Sequence, residues 1–169
     1  DFKENKQLDI YHSEVKVFDV YKNDNFYALL YTDFFPRSGK RSGAWMTSYR
    51  SQKKNQRPHI SIVCNFSRPT VTQPSLLTFQ EVTTLFHEFG HALHGILANT
   101  NYNGLSGTNV YWDFVELPSQ IMENWCYEPE ALKLFAKHYQ TEELLPQNLV
   151  EKIKKAAHCQ QGLQTLRQL

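Results

Sequence analysis

The segment from Thr78 to Ala98 constrains this chain more than any other stretch. Val82, Leu85, Phe86, Phe89, Leu93, Ile96 and Leu97 recur at i, i+3, i+4 and i+7, the spacing of one apolar stripe on an amphipathic helix. Thr78 and Glu81 stand at capping-box spacing, which puts the first helical residue at Phe79 and makes Glu81 a cap partner. His87 and His91 then lie one turn apart on one side of the helix, nearly opposite the centre of the stripe. The spacing predicts a helix whose apolar face enters the core while a pair of imidazoles looks into a different space.

A lone helical histidine is usually a satisfied core or surface residue. Two at i and i+4, with a glutamate directly after the first (His87-Glu88-Phe89-Gly90-His91), point instead to a metal. Their ring nitrogens can converge on a Zn²⁺ ion at about 2.0–2.1 Å. Glu88 sits about 100° round the helix from His87. That is poor placement for a ligand and good placement for taking a proton from a water held by the metal. His94 shares the histidine face one turn on, either as a wall of a cleft or as one more polar residue.

A catalytic zinc needs a third protein ligand and an open position. The metzincin continuation is absent, because positions 94 and 97 hold His and Leu, and the inverted H-x-x-E-H order is absent too. Turn-rich sequence from Asn99 to Gly107 suits a reversal of the chain. A second helix returning past the first could bring Asp113, Glu116 or Glu123 to the metal. Spacing does not separate these three, since Asp113 and Glu123 lie at i−3 and i+7 from Glu116. Pro118 marks a helix start or a kink just after Glu116.

The first third of the chain is strand-like. Glu14–Tyr21 and Phe26–Phe35 read as a hairpin around the turn cluster Lys22-Asn23-Asp24-Asn25, and His59–Phe66 reads as a third strand after a polar stretch. Helices are predicted from Thr78 to about Ala98, in a segment ending near Tyr127, from Pro129 to Tyr139, and from Pro146 onward. The expected class is α+β: a small antiparallel sheet in residues 1–70 followed by a helical core in residues 75–169 that carries the metal site, all in one domain.

Composition bounds the function. Eighteen basic and seventeen acidic residues leave a net charge of +1, which argues against a dedicated nucleic-acid binder. No apolar run reaches membrane-spanning length. Cys64, Cys126 and Cys159 are odd in number and widely spaced, which fits a reducing, cytoplasmic location better than a disulfide framework. Between Phe34 and Gln80 there are eight basic residues and no acidic one. This is either a solvated basic surface or a patch for anionic groups such as peptide carboxylates. The chain starts at Asp1 without a signal-peptide pattern, and its last helical pattern reaches Leu169 without a Gly or Pro terminator. A piece of a longer protein is expected, with some apolar surface left for self-association.

Three strings, LFHEFGHALHGIL (Leu85–Leu97), LSGTN (Leu105–Asn109) and DFVELPSQIMENW (Asp113–Trp125), together resemble the thimet oligopeptidase family of zinc peptidases. Ser42–Met46 and Val63–Phe66 are also similar to its bacterial peptidyl-dipeptidase (oligopeptidase) branch. The resemblance implies one Zn²⁺ held by His87, His91 and Glu116, with Glu88 as the catalytic base and short peptides as substrates. Asp113 and Glu123 are then candidates to support the ligands from behind. Ala44, through strand addition of a peptide along Gly43-Ala44-Trp45, and His94 are candidates for substrate contact. The implied architecture is the central, metal-bearing part of a larger, mainly helical, two-lobed peptidase. Release of C-terminal dipeptides is the implied reaction. An endo-acting oligopeptidase and a non-catalytic, zinc-pinned peptide-binding piece are the alternatives. Members of that family also carry a later glycine- and tyrosine-rich segment, preceded by a histidine, that stabilises the oxyanion. Residues 126–169 contain nothing of that kind, so this chain alone is expected to be a weak or inactive peptidase.

Overall fold

In the computed structural model, residues 1–157, Gly162 and Leu166 are described. Cys159 and the end of the terminal helical pattern lie outside the described residues. The elements, in chain order, are strands β1 (Phe2–Glu4), β2 (Lys16–Lys22), β3 (Asn25–Asp33), β4 (Trp45–Arg50) and β5 (His59–Val63), then helices α1 (Phe79–Ile96), α2 (Trp112–Val115), α3 (Leu117–Asn124), α4 (Pro129–Phe135) and α5 (Gln147–Ala157). The expected α+β class is what the structure has. The residues divide into two compact units, Asp1–Glu123 and Asn124–Leu169.

The first unit holds a five-stranded sheet in the order β1-β2-β3-β5-β4. The predicted hairpin is present as β2 and β3. Asn23 and Asp24 both have positive φ, 49° and 61°, the backbone of a tight hairpin turn whose twist matches its strands. β4 and β5 form a second antiparallel pair, and β1 adds antiparallel to β2. The sheet is mixed rather than wholly antiparallel, because β5 runs parallel to β3. The cause is topological: β4 takes the outer edge, so β5 returns into the middle of the sheet in the same direction as β3. That central position explains the nearly continuous burial of His59-Ile60-Ser61-Ile62-Val63.

The core lies between the sheet and α1. Val20, Ala28, Leu30, Ile60, Ile62, Cys64 and Phe66 meet Ala92 and Ile96, with Met46, Leu85 and Phe89 packed around them. The face of α1 that is buried differs from the expected stripe. It runs through Glu88, Ala92, Gly95 and Ile96, about 90° round the helix from the stripe's centre. Val82, Leu85, Phe86 and Leu93 are only half-buried, and Leu97 is exposed. Small residues decide this. A Cβ on Gly95 would come within 2.8 Å of the Ile60 side chain, so the helix backbone lies directly on β5.

Several members of the basic stretch are structural pins. Arg37 and the buried Lys40 both bind the Asp33 carboxylate, which Tyr11 also reaches through its hydroxyl. Lys40 further donates to the carbonyls of Asp33, Phe35 and Cys64. Arg57 donates to the carbonyls of Tyr27, Ile96 and Ala98, closing the last turn of α1 onto the sheet. Arg68 pairs with Glu14.

In the second unit, α4 opens on Pro129 as expected but stops at Phe135, short of Tyr139. A bridge between Lys137 and Leu144 follows it, and α5 begins at Gln147. Cys126, Leu132 and Val150 are its buried apolar residues among those described. Cys64 and Cys126 are both buried, and burial pushes the Cys64 thiol up to about 12.

Candidate metal centre

The predicted capping box is formed. The Thr78 hydroxyl accepts from the Glu81 backbone N–H at 3.2 Å, and the Glu81 carboxylate accepts from the Thr78 backbone N–H at 2.7 Å. Glu81 also accepts from the Ser67 N–H, and the Thr78 hydrogen bond holds its carboxyl below the usual range. Glu81 is thus spent on starting α1 in the right place. Two turns later His87 and His91 project from the side of the helix that faces α2 and α3.

The chain reverses after α1 through Asn99–Tyr111 and comes back as α2 and α3. Gln52, buried near the end of β4, pins this return by bonding the Thr100 backbone, the Thr100 hydroxyl and the Ser106 hydroxyl. Glu116 sits at the junction of α2 and α3. One carboxylate oxygen, Oε2, lies 3.3 Å from His87 Nε2 and 3.1 Å from His91 Nε2. The two rings are 4.9 Å apart between centroids and nearly perpendicular, at 83°. Within this group each residue offers one ligand atom, and these atoms all lie within 4.8 Å of one another. Two imidazoles and a carboxylate, converging at that spacing, are a donor set that suits zinc.

The surroundings divide the labour. Glu123, one face-repeat further along α3, lies 2.6 Å from His87 Nδ1 through its Oε1, the contact that fixes which ring nitrogen faces Glu116. Burial pushes His91 below the ordinary histidine range, with Glu116 partly opposing, which favours the neutral form that can bind a metal. Glu88, next to His87 in the helix, lies on the buried side of α1 and is 7% exposed. Burial raises its carboxyl above the usual value, Glu116 adds to the rise, and His87 and the Met46 backbone N–H oppose it.

A model of peptidase family M3 matches residues 1–169. The chain belongs to that family. It is 45% identical to oligopeptidase A of Escherichia coli K12 over 99% of its own length and 26% of that protein. It is 43% identical to dipeptidyl carboxypeptidase of Salmonella typhimurium, over 95% of this chain and 24% of the relative. A probable cytosolic oligopeptidase A of Arabidopsis thaliana is also 43% identical, over 95% and 24% respectively. The chain therefore spans about a quarter of the length of these curated relatives. Membership of family M3 agrees with the resemblance carried by the three sequence strings.

Within this M3 chain the other expected site residues fall in different places. Glu123 joins the histidine pair, whereas Asp113 lies exposed in the first turn of α2 and outside the His87–His91–Glu116 group. Ala44 immediately precedes β4 and packs half-buried against the core. β4 is an edge strand, so Ala44 stands where an added strand would enter. The His94 ring lies edge-on to Phe114 with centroids 6.0 Å apart, and burial lowers its basicity. Two residues escaped the sequence reading. Ser119 is fully buried and donates its hydroxyl to Glu116, and Gly90 makes room for it. Gly90 stands inside the histidine motif, but nothing in the spacing says which element approaches it.

Proposed function

We infer that the protein to which these residues belong is a zinc peptidase acting on short peptides, and that it releases C-terminal dipeptides. The observation that carries this reading is the convergence of His87, His91 and Glu116 beside a buried glutamate, Glu88, that none of the three uses as a partner. His87 and His91 would hold the metal through Nε2, and Glu116 through its carboxylate. When bound, zinc supplies Lewis acidity toward a carbonyl and acidifies a water at its open position. Glu88 accepts the proton of the attacking water and returns it to the leaving amine. The free edge of β4, entered at Ala44, aligns the peptide by strand addition, and His94 contributes to the wall of the cleft.

A purely structural zinc is a poorer account of the site. Structural sites are closed by four protein ligands, often cysteines, and this group has three and no cysteine. Endo-cleavage is the second reading of specificity, favoured by the name oligopeptidase A that the Escherichia coli relative carries. The dipeptidyl carboxypeptidase of Salmonella typhimurium supports the first. A cytoplasmic location belongs to the same reading and is supported by the relative described as cytosolic in Arabidopsis. No described helix is long and apolar enough to cross a membrane. Self-association of the chain is supported by the exposed Tyr111, Trp112, Phe114, Leu117 and Ile121.

The test is mass spectrometry of a short peptide incubated with zinc-loaded protein and with its Glu88→Gln variant. Stepwise loss of C-terminal dipeptides, falling about 100- to 10,000-fold in Glu88→Gln while zinc stays bound, is the expected result. Internal cuts alone would select the endo-acting reading. Undiminished turnover in Glu88→Gln would remove Glu88 from the chemistry.

A further inference from the structure

The geometry points to Ser119 as the residue that positions Glu116 for metal binding, an inference that rests on the reading of Glu116 as a ligand. The Ser119 side chain is wholly out of solvent, 0% exposed, yet its hydroxyl reaches a half-exposed carboxylate. Ser119 Oγ lies 2.8 Å from Glu116 Oε2 and 2.8 Å from the Glu116 backbone carbonyl. That carbonyl already accepts the Gln120 N–H at 2.9 Å, so the helix does not depend on the hydroxyl. What the hydroxyl adds is a directed donor to the oxygen that faces both histidines.

The need for such a donor follows from exposure and rotamer freedom. Glu116 has three side-chain torsions and 48% of its side chain in solvent, and among the described residues no basic side chain pairs with it apart from the two histidines. Unbound, a glutamate of this kind samples many rotamers, and ordering it costs free energy on metal binding. A buried hydroxyl fixed three residues further along the chain, in the first turn of α3, removes much of that cost. It also leaves the second lone pair of Oε2, and the whole of Oε1, for a metal.

Why serine stands there is equally physical. Position 119 lies where α3 touches α1: a Cβ on Gly90 would fall 2.5 Å from the Ser119 Cα and 2.6 Å from the Pro118 carbonyl oxygen. Little room remains for anything larger. Serine is the smallest residue that brings a hydroxyl donor, and Gly90 allows the backbone contact that aims it.

The experiment measures zinc affinity of the full chain by chelator competition, and the visible spectrum of the Co²⁺-substituted protein, for wild type and for Ser119→Ala, Ser119→Gly and Glu116→Ala. Glu116→Ala should lose most affinity. Ser119→Ala and Ser119→Gly should each weaken zinc about 10- to 100-fold, to a similar degree, and should alter the Co²⁺ ligand-field bands, although glycine lowers the melting temperature more than alanine. Affinity that instead tracks melting temperature, with Ser119→Ala like wild type, would reduce Ser119 to packing and overturn the inference while leaving Glu116 a ligand. Unchanged affinity in Glu116→Ala would overturn the ligand reading and this inference together.

Discussion

Gly90 and Ser119 meet backbone to backbone: no Cβ fits on Gly90 without moving the first turn of α3. The histidine-bearing face of α1 and the first turn of α3, which follows Glu116, are thereby locked at one separation. Gly90→Ala tests that lock. Alanine gains about 1 kcal/mol of helix propensity over glycine, while overpacking against backbone that cannot rotate away costs about 1–3 kcal/mol. We expect a net stability loss of up to about 2 kcal/mol and weaker zinc binding, read by chemical denaturation and chelator competition. A more stable Gly90→Ala protein with unchanged affinity would show that α3 shifts freely.

The ligand group ranks its members. His87→Ala, His91→Ala and Glu116→Ala each delete a donor and should abolish tight zinc binding. Glu123→Ala leaves all three donors and removes only the partner of His87 Nδ1, so a loss of about 10- to 100-fold is expected. Asp113→Ala should change little, because Asp113 stands outside the group. Isothermal titration with Zn²⁺ across the set gives the ranking. A Glu123→Ala protein that fails to bind while Glu116→Ala binds normally would exchange their roles.

How far the sequence reached depends on what its patterns encode. The histidine motif and the capping box are local, i to i+3 and i+4 relations, and both appear as read. Glu116, Asp113 and Glu123 were not separable because their spacing puts them on one side of a single returning helix, whereas the chain breaks at Glu116 into α2 and α3. The parallel pairing of β3 with β5 escaped because alternation reports which face is buried, not which strand lies alongside. β4 escaped because Thr47, Ser48 and Arg50 make Trp45–Arg50 read as polar, as an edge strand can be. The buried face of α1 was misplaced for a related reason: Gly90, Ala92 and Gly95 contribute nothing to an apolar stripe, yet close approach occurs at small residues.

Acid should unfold the first unit through Asp33. Burial alone would raise its carboxyl, but hydrogen bonds from Arg37, Lys40 and Tyr11 outweigh burial and hold it at about 2. Unfolded, it titrates near 3.9. The folded value is the lower one, so the stabilisation, about 2 kcal/mol, is fully present above the unfolded value and is lost as pH falls through about 2. Urea midpoints should decline from about pH 5 downward, and the Asp33 carboxyl carbon should titrate near 2 by NMR. A midpoint near 4 would mean that the Arg37 and Lys40 contacts do not persist in solution.

The last prediction concerns what residues 1–169 can do alone. They contain the three donors and Glu88, so water activation and proton transfer have their parts. Carbonyl hydrolysis also needs donors for the developing oxyanion, and losing one such donor typically costs about 100- to 1000-fold in rate. After Glu123 the sequence runs through α4 and α5 with one glycine, Gly162, and two tyrosines, Tyr127 and Tyr139, and so lacks the glycine- and tyrosine-rich segment that the family resemblance associates with this task. Purified, zinc-loaded chain should therefore cleave a short peptide at least about 100-fold more slowly than the oligopeptidase A of Escherichia coli under the same conditions. Its Glu88→Gln variant should abolish even that residual rate. Comparable turnover by the two proteins would mean that the metal centre and β4 suffice, and that the oxyanion is held by groups already present between Asp1 and Leu169.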